Sequence, residues 1–122
     1  MDLVFSQEDL DFQEEVRSFL ASEYPSDIKE KQDKRLPLEA EDVIKWQKIL
    51  AKKGWFAINW PKEHGGTDWS PTKKYILQNE LASANTPITI PFGVNMCGPV
   101  LYSFGTDSQK KRHLPGILNS DV

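Results

Sequence analysis

The residues able to carry chemistry are few. A single cysteine, Cys97, and two histidines, His64 and His113, stand among many charged side chains. One cysteine permits neither an internal disulfide nor a zinc site built on several thiolates. The two histidines are far apart in the chain, so no metal site is expected. The densest candidate is "NWPKEHGGTDWS", residues 59–70. It admits three readings: an active-site loop, a metal site, or a turn between helices. Glu80 falls beside the apolar positions Leu77, Leu81 and Ala84. It reads as a hydrogen-bonded structural carboxylate rather than a base, because no nucleophile or electrophile lies near it in the chain. The carboxylates Glu14, Glu15, Glu39, Glu41 and Asp42 read as solvated faces. The run "KKRH", residues 110–113, reads the same way, with anion binding as the sharper alternative. There is no GxGxxG, no P-loop and no GxSxG elbow.

"PITIPFGVNMCGP", residues 87–99, differs in kind. It is apolar, it is broken by prolines, and it carries small residues at Gly93, Cys97 and Gly98. Core packing accounts for such a stretch, and so does close approach of a partner element or an apolar ligand. Composition leaves both open.

The elements that must position these residues read as helices. Ser6 is a candidate N-cap, with Glu8 and Asp9 at the positive end of the dipole and Phe5–Leu10 as a staple. Phe12, Val16, Phe19 and Leu20 then share one face, and Tyr24-Pro25 ends the element. Residues 26–37 allow a short helix or a mobile connection. A clearer helix runs from about Leu38 to Lys53, with Val43, Trp46, Ile49 and Leu50 on one stripe and Gly54 at C′. "WFAINWP", residues 55–61, predicts a buried extended connection. Gly65-Gly66 predicts a turn with positive φ, with Lys62, Glu63 and His64 exposed. Ser70-Pro71 opens a helix to about Asn85 that places Leu77, Leu81 and Ala84 on one face. Pro87 and Pro91 interrupt or start another, which Gly98-Pro99 should kink and Gly105 should end. "TDSQ" from Thr106 has capping-box spacing for a last helix carrying Leu114, Ile117 and Leu118 around Pro115. The fold class is therefore all-α, a helical bundle of five to six helices.

The whole chain bounds what these elements can do. Its 122 residues suit one domain with a real core. A net charge of -3 disfavours nucleic acid as the main partner. No apolar run approaches the roughly 18 residues of a membrane span. "MDLVFSQEDL" lacks a basic region followed by an apolar stretch, so no export signal is expected and a reducing, cytoplasmic setting is the default.

Taken in order, several motifs form a pattern. They are Trp46, Gly54-Trp55, Pro61 with Gly65-Gly66, Glu80-Leu81, Gly98-Pro99, Phe104-Gly105-Thr106 with Gln109-Lys110, and Leu114-Pro115. Each is weak by itself. The ordered set, spanning Phe5 to Leu118, resembles the N-terminal helical domain of the acyl-CoA dehydrogenases. It looks closest to the branch containing the large subunit of pimeloyl-CoA dehydrogenase. The resemblance implies that residues 1–122 are that domain, with the family's central β domain and C-terminal helical domain absent from this chain. It implies a parent flavoenzyme that uses FAD to remove the α and β hydrogens of an acyl-CoA thioester. A glutamate would take the proton, the flavin the hydride, and an electron-transfer flavoprotein would reoxidise the flavin. The parent would form homo- or hetero-oligomers. That glutamate belongs to the C-terminal domain, so no catalytic residue is assigned here and the chain by itself is expected to be inactive. FAD is bound mainly by the other domains. Counted back from Gly98-Pro99, the family's acyl-channel positions fall on Pro87, Pro91, Val94 and Asn95. Two alternatives stand beside this reading: a non-catalytic subunit of a heteromeric dehydrogenase, and a free-standing helical interaction module. The stretch of residues 59–70 is then a structural connection: the metal reading lacks ligands, and the resemblance puts the chemistry elsewhere.

Overall fold

The computed structural model describes residues 4–122. The export-signal expectation begins on Met1–Leu3, which lie outside the described residues. Among the described residues there are six α-helices and no strand, so the expected all-α class holds. The helices are α1 (Gln7–Glu23), α2 (Ser26–Asp33), α3 (Ala40–Lys53), α4 (Pro71–Ser83), α5 (Gly98–Phe104) and α6 (Asp107–Leu118). A 3₁₀ turn covers Lys62–His64 and a π-helical segment covers Phe92–Cys97. The chain folds into two compact units. One runs up to Leu38 and includes Trp69–Thr86; the other comprises Glu39–Asp68 and Pro87–Val122.

The first unit holds α1, α2 and α4. Ser6 caps α1 as its type and place require. Its Oγ accepts the Asp9 N–H at 3.1 Å while the Asp9 carboxylate accepts the Ser6 N–H at 3.1 Å. Phe12, Val16, Phe19 and Leu20 are buried, as their spacing predicts. The buried face of α4 is Ile76, Leu77 and Glu80, whereas Leu81 and Ala84 are only partly buried. This corrects the expected Leu77/Leu81/Ala84 face. Glu80 on that face is met by Arg17 on α1, whose Nε and Nη2 donate to Glu80 Oε2 and Oε1, each at 3.1 Å. A carboxylate held by a bidentate guanidinium can sit in the apolar seam, where an unpaired one could not. The adjacent carboxylate in turn pushes the Arg17 pKa up, by hydrogen bonding and charge. Glu80 is thus structural, as its sequence surroundings imply.

Residues 26–33 settle as helix, and Pro25 serves as its N-cap. Asn85 then turns the chain at φ 56°, in the left-handed region that Asn tolerates better than most residues. Its amide donates to Asp33 at 3.0 Å and its carbonyl accepts the Tyr24 hydroxyl at 2.9 Å. Burial, with the Asp33 charge as a smaller cause, pushes the Tyr24 pKa up to about 12. Trp69 packs edge-on against Phe12 with centroids 5.0 Å apart, and the Lys73 ammonium lies over both rings.

The second unit holds α3, α5, α6 and the π segment. Gly54, at φ 84°, closes α3, and the Trp55 N–H reaches back to the Leu50 carbonyl at 2.9 Å. Trp55, Ala57, Ile58 and Trp60 are buried as expected, but the segment is turned rather than extended. An extended chain would send Ala57 and Ile58 to opposite faces. Turns, one closed by the Trp60 N–H on Ala57 O at 3.1 Å, bury both. Thr106 caps α6 in the expected reciprocal pair with Gln109, at 2.9 and 3.2 Å. Leu114 and Ile117 are buried beneath it. The 110–113 run lies mid-helix and is mostly exposed.

Candidate functional site

The prolines and glycines of residues 87–99 dictate an unusual backbone. The Gly98 N–H bonds to Gly93 O, the i→i−5 pattern of a π-helix. In that register the Val94 carbonyl should receive the N–H of residue 99, which is a proline and has none. The vacancy is filled from outside the helix. The Trp60 indole Nε1 donates to Val94 O at 2.6 Å in the buried interior. An orphaned buried carbonyl is expensive, so this bond ties the loop of residues 59–70 to the segment that carries the candidate ligand positions. The expected kink at Gly98-Pro99 takes the form of a π-to-α transition.

Trp60 is fixed from every side. Its ring meets Tyr102 edge-on at 5.8 Å, and it belongs to a buried cluster with Ala57, Val94, Leu114 and Ile117. His64, expected to be exposed, is instead largely covered, with 22% of its side chain accessible, and stacks on Tyr102 at 5.7 Å. Gly65 adopts φ 96° as its turn requires. Gly66 corrects the expectation: its backbone is not in the positive-φ region, and its small size serves close approach. A Cβ there would lie 1.7 Å from Trp60 O.

The four positions implied by the resemblance separate in the structure. Pro87 and Val94 are buried, Pro91 is half-buried and Asn95 is exposed. Val94 faces the Trp60 cluster and lines a cavity of about 330 Å³ with Ile44, Gln47, Phe56 and Ile90. A more open groove of about 620 Å³ runs along Ile90, Phe92, Gly93, Cys97, Leu101 and His113. A third hollow, of about 430 Å³, places Lys110 and Lys111 against Glu63 and Asp107, so its charges largely offset.

Two features escaped the sequence reading. Ile88, Phe92, Met96, Val100 and Phe104 recur every fourth residue and are 56–89% exposed. Phe92, Met96, Val100 and Phe104 form an apolar row on the outside of the π segment and α5, Ile88 lies in the irregular run before them, and the four-residue period was the signal that could have shown it. The other is Gln47, a buried amide on the α3 stripe that polarity hid.

The second unit combines a π break, a tryptophan latch and an exposed apolar row, with no catalytic constellation among the described residues. The family comparison defines the class. Residues 6–121 match the family described as "Acyl-CoA dehydrogenase, N-terminal domain", and the chain belongs to it. It is 33% identical over 114 residues to acyl-CoA dehydrogenase IpdE1 of Mycolicibacterium smegmatis, an alignment covering 89% of this chain and 29% of that protein. It is 38% identical over 74 residues to acyl-CoA dehydrogenase FadE26 of Mycobacterium tuberculosis, covering 60% and 18%. Among solved structures it is similar to a chain of the ChsE4-ChsE5 complex from Mycobacterium tuberculosis. There the TM-score is 0.79 at 26% identity, over 100% of this chain and 30% of that one. A chain of the Tcur3481-Tcur3483 steroid ACAD gives 0.78 at 32% identity, over 100% and 31%. The chain thus spans less than a third of the length of these relatives.

Proposed function

We propose that this chain is the N-terminal domain of an FAD-dependent acyl-CoA dehydrogenase and forms one wall of its acyl-chain pocket. The carrying observation is the exposed apolar row from Phe92 to Phe104, with exposed Ile88 just before it, next to Pro87, Pro91, Val94 and Asn95. Contiguous apolar surface of this kind is covered in a working protein, by an apolar ligand or by other domains. The row supports this reading over a free-standing helical module, which would bury such a face within itself.

The described residues do not suit the diphosphate of FAD. Helix N-termini are natural anion sites, but those of α1, α4 and α6 are filled by their own Ser6, Ser70 and Thr106 side chains. The two positive-φ glycines, Gly54 and Gly65, follow helical turns rather than opening a helix. The cofactor is therefore assigned to other domains of the parent, together with the catalytic glutamate, and no step is routed through this chain. Its own residues shape the pocket, exclude water from it and orient the acyl chain. An electron-transfer flavoprotein as acceptor and a cytoplasmic location complete the proposal.

A second reading is favoured by one observation. Both solved neighbours named above are described as two-component assemblies. The parent of this chain would then be one subunit of a heteromer, with or without a catalytic glutamate of its own.

The test uses the full-length protein, co-expressed with a partner subunit if its genome neighbourhood encodes one. The purified protein is expected to carry flavin whose absorbance bleaches when acyl-CoA is added without oxygen. A colourless protein, or a flavin that no acyl-CoA reduces, would sink the proposal.

A further inference from the structure

Gln47 is 6% exposed, and burying a primary amide is costly unless its donors and acceptor are met. Here one donor and the acceptor are met by two distant segments. Its Nε2 donates to Ser120 Oγ at 2.8 Å, and its Oε1 accepts the Ile90 N–H at 2.6 Å. One side chain of α3 therefore ties down both the run entering the π segment and the turn that leaves α6.

Both anchored points are unusual. Pro87 and Pro91 have no N–H, so the run between them has few backbone donors with which to fix itself. Gln47 takes the donor directly before Pro91. Ser120 stands at φ 57°, a left-handed conformation that L-residues other than Asn and Asp rarely adopt. Its N–H is held by Ile117 O at 3.1 Å and its hydroxyl by Gln47. Gln47, Ile90, Val94 and Ser120 all line the cavity of about 330 Å³. The amide is thus a spacer between α3 and the segment carrying the candidate acyl-pocket positions.

We propose that Gln47 is a positioning residue that fixes the stand-off of the Pro87–Pro91 run from α3, and through it the size of acyl group the pocket admits. This rests on the acyl-pocket reading given under Proposed function. The hydrogen bonds themselves stand apart from that reading and are tested apart from it.

The experiment uses the full-length enzyme and three variants. Gln47→Leu removes both bonds at similar volume. Gln47→Glu keeps an acceptor for the Ile90 N–H and the Ser120 hydroxyl. Ser120→Ala removes one bond with little risk to folding. Two readouts are taken: hydrogen exchange at the Ile90 amide, and kcat/KM across acyl-CoAs from short straight-chain to bulky polycyclic. Gln47→Leu is expected to unprotect the Ile90 amide and to change the bulky-to-short ratio of kcat/KM by about tenfold, carried in KM with flavin content unchanged. Gln47→Glu keeps the acceptor for the Ile90 N–H but buries a carboxylate with no cation among its partners, so it is expected to restore both in part, and Ser120→Ala to shift the ratio part of the way. An Ile90 amide equally exchangeable in wild type and Gln47→Leu overturns the anchoring, whatever the activity. Protection lost with the ratio unchanged, or with all substrates losing equally, overturns the specificity role while the acyl-pocket reading stands. A wild type that oxidises no acyl-CoA overturns that reading and the specificity role with it.

Discussion

Gly66→Ala is expected to cost about 3 kcal/mol, near the upper end for forcing extra volume into a packed site. The added Cβ would lie 1.7 Å from Trp60 O and 2.3 Å from Trp60 C. These are backbone atoms, and no rotamer change relieves the overlap. The turn is also closed by the Gly66 N–H on Pro61 O at 3.1 Å, so moving Gly66 breaks a bond as well. For a domain of this size the melting temperature should fall by roughly 10 °C. Gly98→Ala tests the same tryptophan from the other side, since its Cβ would lie 2.2 Å from Trp60 Cζ2. A ring can move where a backbone cannot, but this ring is 2% exposed and hydrogen-bonded through Nε1. Its cost should approach that of Gly66→Ala. Thermal unfolding of both variants within 2–3 °C of wild type would show that the loop is not pinned as described.

Trp60→Phe is the second large effect. The phenyl ring cannot donate, so the Val94 carbonyl loses its partner while Pro99 still offers no N–H. An unsatisfied buried acceptor costs about 1–3 kcal/mol, and the smaller ring leaves a void beside Val94, Leu114 and Ile117. Together these should reach about 3 kcal/mol, and Trp60→Ala about 4–5 kcal/mol. Denaturant unfolding measures both, with a constant slope as the check that the unfolded state is unchanged. A further consequence separates sterics from general damage. Gly98→Ala should cost far less in a Trp60→Ala background, because the ring it strikes is gone. Additive costs would contradict the contact.

The helix caps were legible because their cause is local. Ser6, Ser70 and Thr106 satisfy backbone donors within three residues, so type and spacing suffice. The α1 face was legible because four apolar residues repeat at helical spacing. Legibility ended where the partner is remote in the chain. The burial of Glu80 on α4 is matched by Arg17, 63 residues before it. In the π segment Pro99 offers Val94 O no donor, and Trp60 supplies one from 34 residues away. Nothing local marked Gln47 as buried, because its partners lie 43 and 73 residues away. His64 was misplaced for a related reason, since the Tyr102 ring that covers it comes from another helix. The candidate site was the least legible part. The resemblance supplied four positions on one segment, and the structure distributes them between core and surface.

The proposed pocket wall is tested most directly by where an acyl chain touches the protein. An acyl-CoA bearing a diazirine at the far end of its acyl group would be photolysed on the full-length enzyme, and the labelled peptides mapped after trypsin cleavage. Label within residues 75–110, concentrated between Pro87 and Met96 and suppressed by excess unmodified acyl-CoA, is the predicted result. Competable label found solely outside residues 4–122 would contradict it.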